Sequence, residues 1–189
     1  MRLIFGTDGG ARHEKHVTSG RGTGWCEVMV ENDPTAPPRL MDGGQVVGGP
    51  DQWLDAITLV PKTGSQPAAL AAHRATEFVT ENFTLINARA KIDPLEIVGM
   101  MKMLARTTGR PHYTQEPSQR NLVSHDDLKR IGWWPGGAGH ADQAQAIRHV
   151  LSRLLREGHL GTATMLKPPG SYVESLAVEV EPSESSNPW

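Results

Sequence analysis

Three carboxylates stand where a charged group is locally out of place, and together they could grip a hard divalent cation. Asp8 ends the apolar run RLIFGTD and is followed by Gly9-Gly10. Strand alternation puts it on the face of Ile4 and Gly6, and the glycines leave room for a ligand beside it. Glu81 falls between Val79 and Phe83, on a strand face that should be buried. A buried carboxylate needs a partner or a metal. Asp142 lies in the first turn of a terminal helix, two residues after His140. Carboxylates from three elements suit Mg²⁺, which prefers oxygen ligands. Two such ions about 3.5–4 Å apart activate a water and stabilise the leaving oxygen in phosphodiester hydrolysis.

Each residue also has a plainer role open to it. Asp8-Gly9 fits an ordinary turn. Glu81 fits an ion pair with an arginine, or an edge strand with that face wet. Asp142 fits the preference of acids for helix N-termini. His140 is open between a neighbour of the helix cap, a metal ligand and a general base. Asp126 and Asp127 are fallback acids, although Ser-His-Asp-Asp at 124–127 reads as the opening of a short helix. Cys26 is the only cysteine, so an internal disulfide and a cysteine-rich metal site are excluded. Beside Trp25 in a strand it reads as a small buried residue, not a nucleophile.

The elements that must position these groups follow from periodicity and punctuation. Residues 2–8, 25–30, 40–47, 77–85 and 111–115 read as five strands. Residues 11–24, rich in Gly, Ser, Thr and basic side chains, read as a loop. Helical spacing covers residues 51–60, with Trp53, Ile57 and Val60 on one side, and a short helix follows to Ala75. Asp93-Pro94 opens a helix to about residue 106. Its stripe of Ile97, Met100, Met101 and Leu104 reads as core or as a dimer face. A short helix covers 124–131, and a Gly-rich turn follows at 132–139. The last helix runs from about 141 to 157, with Ala144, Ile147, Leu151 and Leu154 on one face and Gly158 closing it. This order predicts an α/β domain with a mixed sheet over residues 1–160. Pro, Ser and Glu dominate residues 161–189, which predicts a poorly ordered tail.

A formal net charge of −2 excludes a protein that coats nucleic acid through overall charge. The distribution is uneven, however. Arg12, Lys15 and Arg21 crowd one loop, whereas the tail carries Glu174, Glu179, Glu181 and Glu184 with no base. The basic loop could meet phosphates or simply be solvated. No run approaches the roughly 18 apolar residues of a membrane helix, and the N-terminus lacks the apolar core of a signal peptide. A reducing, cytoplasmic location is expected.

Taken in order, the motifs resemble phage-encoded RuvC-type Holliday junction resolvases, within the RNase H-like superfamily. The likeness rests on Thr7-Asp8-Gly9-Gly10, Thr80-Glu81-Asn82-Phe83-Thr84-Leu85, Pro117-Ser118-Gln119-Arg120 and Leu128-Lys129-Arg130-Ile131-Gly132-Trp133-Trp134. It is completed by His140-Ala141-Asp142 and Arg148-His149-Val150-Leu151. The sequence departs from the pattern in a longer loop after Asp8 and in His-x-Asp spacing at 140–142. The resemblance implies an RNase H-like five-stranded mixed sheet flanked by helices. It implies metal-dependent cleavage of branched DNA by a homodimer. Asp8 would bridge two Mg²⁺ ions (Mn²⁺ being an alternative), Glu81 and Asp142 would each complete one site, and His140 would orient or activate the water. Arg12, Lys15, Arg21, Arg120, Lys129 and Arg130 are then candidate phosphate contacts. Phe83 is a candidate for stacking on bases as well as for core packing. Trp133-Trp134 is open between partial exposure and packing. Three alternatives remain: a nuclease on RNA–DNA hybrids or other branched DNA, an inactive domain of this fold that binds DNA or a phage protein, and a structural phage protein with no nucleic-acid role, which the modest overall charge and acidic tail allow. Convergence of Asp8, Glu81 and Asp142 separates the nuclease readings from the inactive one.

Overall fold

A computed structural model describes residues 1–9, 22–58, 67–82, 93–137 and 140–168. Five strands form one sheet: β1 (Arg2–Gly9), β2 (Gly22–Val30), β3 (Arg39–Val47), β4 (Glu77–Glu81) and β5 (His112–Gln115). Their order is β3-β2-β1-β4-β5. The first three strands make an antiparallel meander, and β4 and β5 add in parallel beside β1. Connections back to parallel strands need long crossovers, usually helical. Helices α1 (Pro50–Thr58) and α2 (Pro67–Arg74) lie between β3 and β4, and α3 (Asp93–Thr108) lies between β4 and β5. After β5 come a 3₁₀ turn (Pro117–Leu122), α4 (His125–Arg130), α5 (Ala141–Arg156) and α6 (Leu160–Leu166).

Period-two alternation sorts the strand residues into two cores. Ile4, Cys26, Val28 and Val79 pack on Ile147, Val150, Leu151 and Leu154 of α5. Phe5, Trp25 and Phe78 point the other way, onto Trp53, Ile57, Ile97 and Met101. Phe5 stacks on Trp25 with centroids 5.8 Å apart and meets Phe78 edge-on at 6.2 Å. The sheet is thus covered on both faces. The Ile97/Met101 stripe of α3 belongs to the second core. Trp133 and Trp134 are partly buried against the first. Cys26 is fully buried, and burial pushes its thiol up to about 12, as expected of a packing residue.

Two glycines let α5 lie close on the sheet. A Cβ on Gly6 would stand 2.4 Å from Val150 Cγ2, and one on Gly24 would stand 2.0 Å from the Asp142 carbonyl carbon. The helix therefore rests on β1 and β2 at contact distances that only glycine permits.

Strand β2 begins earlier than expected, at Gly22, and α3 extends to Thr108. The expected extension of β4 to residue 85 and of α1 to residue 60 lies outside the described residues. The 3₁₀ turn was not foreseen. The expectation of poor order from residue 161 fails at its start: Gly158 turns at φ 76°, and Leu160–Leu166 forms α6. His159 caps that helix by accepting from the Thr162 amide. Gly161 donates to the Pro34 carbonyl at 2.9 Å, and Arg130 donates to the carbonyls of Leu166 and Lys167. These contacts fix a segment whose composition suggested none. Residues 169–189 lie outside the described set. No helix among the described residues is long and apolar enough to cross a membrane.

Candidate metal centre

Strands β1 and β4 run parallel with Thr7 opposite Thr80, so Asp8 and Glu81 emerge side by side at their C-terminal ends. Alternation from Ile4 and Val79 turns both toward α5, as the sequence pattern implied. There they meet His149. One ligand atom from each of Asp8, Glu81 and His149 lies within 4.8 Å of the other two. His149 Nε2 is 3.8 Å from Glu81 Oε1. The same carboxylate oxygen accepts from Arg120 Nη1 at 2.7 Å. Glu81 therefore has the arginine partner that the simpler reading required, and it also belongs to a cluster suited to a metal.

The cluster is nearly dry. Asp8 is 5% exposed and His149 is 0% exposed. Burial holds the Asp8 carboxyl well above its usual range. A hydrogen bond with Glu81 and the charges of Glu81 and Asp142 push the same way, against Arg120. The Asp8 carboxyl thus holds its proton more tightly than a solvated one when no cation is bound. Burial lowers His149 to about 4, with Glu81 opposing and Arg120 and Arg148 assisting. Its imidazole is neutral at pH 7. Both ring nitrogens are buried without a hydrogen-bond partner, whereas buried polar atoms are normally satisfied. A buried Asp8 carboxyl that holds its proton, hydrogen-bonded to Glu81 and beside an unsatisfied neutral imidazole, fits a divalent cation, which takes oxygen and nitrogen lone pairs and displaces the proton.

Asp142 lies close enough for its charge to act on Asp8. Its Oδ2 accepts from Gln45 Nε2 at 2.8 Å and from the Gly22 amide at 3.4 Å. It is seven residues before His149, about 20° short of two full turns, so both occupy one side of α5 roughly 10 Å apart along the axis. The cluster reaches the end of that stretch occupied by His149. His140 is the exposed residue preceding α5, makes no capping bond through its side chain, and is outside the cluster. Asp126 pairs with Lys129 at 2.8 Å. Asp127 forms a capping box with Ser124 and pairs with Arg130. Both fallback acids are thus occupied at α4.

Of the candidate phosphate contacts, Arg120 is on Glu81, and Arg130 is held by Asp127 and two carbonyls of the α6 end. Lys129 is half exposed, 5.7 Å from the Trp134 ring centroid. Trp134 also meets the His125 ring at 4.8 Å. Arg12, Lys15, Arg21 and Phe83 lie outside the described residues.

Sequence reasoning did not single out His149 as a ligand or Arg148 as a brace. Arg148 Nε donates to the Val123 carbonyl at 2.6 Å and Nη1 to Gln145 Oε1 at 2.7 Å. That ties α5 to the end of the 3₁₀ turn that carries Arg120. The available signal was the seven-residue spacing from Asp142.

No family model and no curated protein matches the sequence. Solved structures do match in fold. RuvC of Thermus thermophilus superposes with a TM-score of 0.52 at 16% identity, covering 83% of this chain and 97% of that one. T. thermophilus RuvC in complex with Holliday junction substrate also gives 0.52 at 16%, over 84% and 97%. The fowlpox virus Holliday junction resolvase gives 0.55 at 11%, over 82% and 99%. The fold is therefore RuvC-like: an α/β arrangement with a mixed five-stranded sheet flanked by helices.

Proposed function

We propose that this chain is a divalent-metal-dependent endonuclease that resolves Holliday junctions or related branched DNA. The observation that carries the reading is the buried convergence of Asp8, Glu81 and His149 at the ends of β1 and β4, on a fold shared with junction resolvases. Asp8, Glu81 and His149 would hold the cation, with Asp142 as the nearby acid able to complete the site. A bound cation there would activate a water and stabilise the leaving oxygen. The chain's own contributions are distinct. Neutral His149 offers a lone pair. Arg120 fixes one Glu81 oxygen and keeps positive charge where a phosphate would approach. Arg148 braces the turn that carries Arg120. By the sequence resemblance, the products would be a 5′-phosphate and a 3′-hydroxyl, formed without a covalent enzyme intermediate. Lys129 beside Trp134, with Arg12, Lys15 and Arg21, would contact the backbone. Two-fold cleavage of a four-way junction implies a homodimer.

The test compares a four-way junction, a flap and an RNA–DNA hybrid as substrates in Mg²⁺ and in Mn²⁺. Wild type is expected to cut the junction fastest, and Glu81→Gln to lose at least about 100-fold in rate. Unchanged cleavage by Glu81→Gln would remove Glu81 from the mechanism. Faster cutting of the hybrid would reassign the substrate. One observation favours a second reading, a non-cleaving binder of branched DNA: Arg120 already neutralises Glu81. That reading predicts tight junction binding by wild type with no cleavage in either ion.

A further inference from the structure

We propose that this centre is built for a first-row transition ion, through His149, and binds Mg²⁺ only weakly. The inference rests on the nuclease reading for its purpose but on the ligand chemistry for its content.

Mg²⁺ is bound mainly by carboxylates, phosphates and retained waters. A site tuned for it would offer several free acids. Here the converging donors are two carboxylates and one imidazole. One carboxylate is shared with a guanidinium at 2.7 Å, which reduces the negative charge that attracts a hard cation. The nearby acid, Asp142, is engaged by Gln45 and the Gly22 amide. The nitrogen donor is the most enclosed of the three, at 0% exposure. It stands in mid-helix among residues that are buried for several positions on either side. Such a position would ordinarily hold a hydrocarbon, since an unsatisfied buried polar group costs about 1–3 kcal/mol. Imidazole nitrogen favours borderline ions, and affinities for such sites rise from Mn²⁺ through Fe²⁺ to Co²⁺. Three protein ligands with further positions open to water or substrate is also the usual make-up of a catalytic transition-metal site.

The whole chain is titrated with Co²⁺, Mn²⁺ and Mg²⁺ by calorimetry at pH 7, without DNA. Mn²⁺-loaded protein is examined by electron spin-echo modulation for directly coordinated nitrogen. The expected order of affinity is Co²⁺, then Mn²⁺, then Mg²⁺, with at least about tenfold between the first and last. A nitrogen coupling is expected in wild type and is lost in His149→Asp, which supplies oxygen instead and narrows the spread between ions. If the variant fails to fold, the wild-type coupling and affinity order decide. Equal affinity for all three ions, or Mn²⁺ bound without a nitrogen coupling, overturns the assignment. Junction cleavage, assayed separately, tests the other reading. A nitrogen-ligated ion without cleavage in any metal sinks the nuclease but not the site. Cleavage without nitrogen coupling does the reverse.

Discussion

Replacing Asp8 by Asn should make the cation-free protein more stable, and increasingly so as pH rises. Asp8 is buried beside Glu81, and its pKa in the folded state lies well above the ordinary 3.8. The sign follows from linkage. Above 3.8 the unfolded chain has lost this proton while the folded chain keeps it, so stability falls with rising pH until the folded pKa is passed. One proton gives a slope of at most about 1.4 kcal/mol per pH unit. His149 acts in the opposite sense across the same window. Its folded pKa of about 4 lies below the ordinary 6.5, so its contribution is complete above 6.5 and is lost as pH falls toward 4. The two slopes partly cancel in wild type. Asp8→Asn removes one and leaves the other, because the shift at His149 arises from burial, Glu81, Arg120 and Arg148. The difference between variant and wild type therefore isolates Asp8. Urea unfolding in a chelator, from pH 4 to 8, should show a gap near zero at pH 4. The gap should widen by up to about 1.4 kcal/mol per unit and then level off. Saturating Mn²⁺ should reverse the order by stabilising wild type alone. A gap that stays flat with pH, or a less stable variant at pH 7, would refute the picture of a buried Asp8 that holds its proton beside Glu81.

Other perturbations test the frame around the centre. Gly24→Val should force the start of α5 off β2, costing about 1–3 kcal/mol and most of the metal affinity, as read by unfolding and calorimetry. Arg120→Gln should lower the stability of the cation-free protein by about 1–2 kcal/mol, because Glu81 loses a partly buried partner. It should raise Mn²⁺ affinity severalfold, because a competing cation is gone. Arg130→Ala should release α6 from α4 at a cost of about 1–2 kcal/mol, visible as faster hydrogen exchange at residues 160–166, with metal affinity unchanged.

The sheet and two members of the centre were legible in the sequence for one physical reason. In a strand the side-chain period is two, so a carboxylate in an apolar run has a defined face. Asp8 shares its face with Ile4 and Gly6, and Glu81 shares its face with Val79; both faces are covered by α5. The helices were legible in extent, through Asp93-Pro94, Ser124 and Gly158. The short 3₁₀ turn and α6 were hidden, because they are held by tertiary bonds that composition does not reveal. Gly161 meets the Pro34 carbonyl, and Arg130 reaches the last carbonyls of α6.

The third member of the cluster, His149, was obscured by a different effect. The apolar stripe of Ala144, Ile147, Leu151 and Leu154 marks one flank of α5 as core, and by helical geometry His149 lies roughly opposite it. An ordinary amphipathic helix would leave that side in water. Here the glycines at 6 and 24 bring α5 so close to β1 and β2 that residues 143, 144 and 146–154 are all buried. The polar side chains buried along this stretch then cannot reach solvent and must be satisfied locally. Arg148 achieves this through the Val123 carbonyl and Gln145. His149 has the carboxylates of Glu81 and Asp8 before it and, among the described residues, no hydrogen-bond partner. Close packing by glycine thus converts what reads as a solvent-facing histidine into a candidate ligand. The same close contact that positions α5 also sets His149 against the two carboxylates.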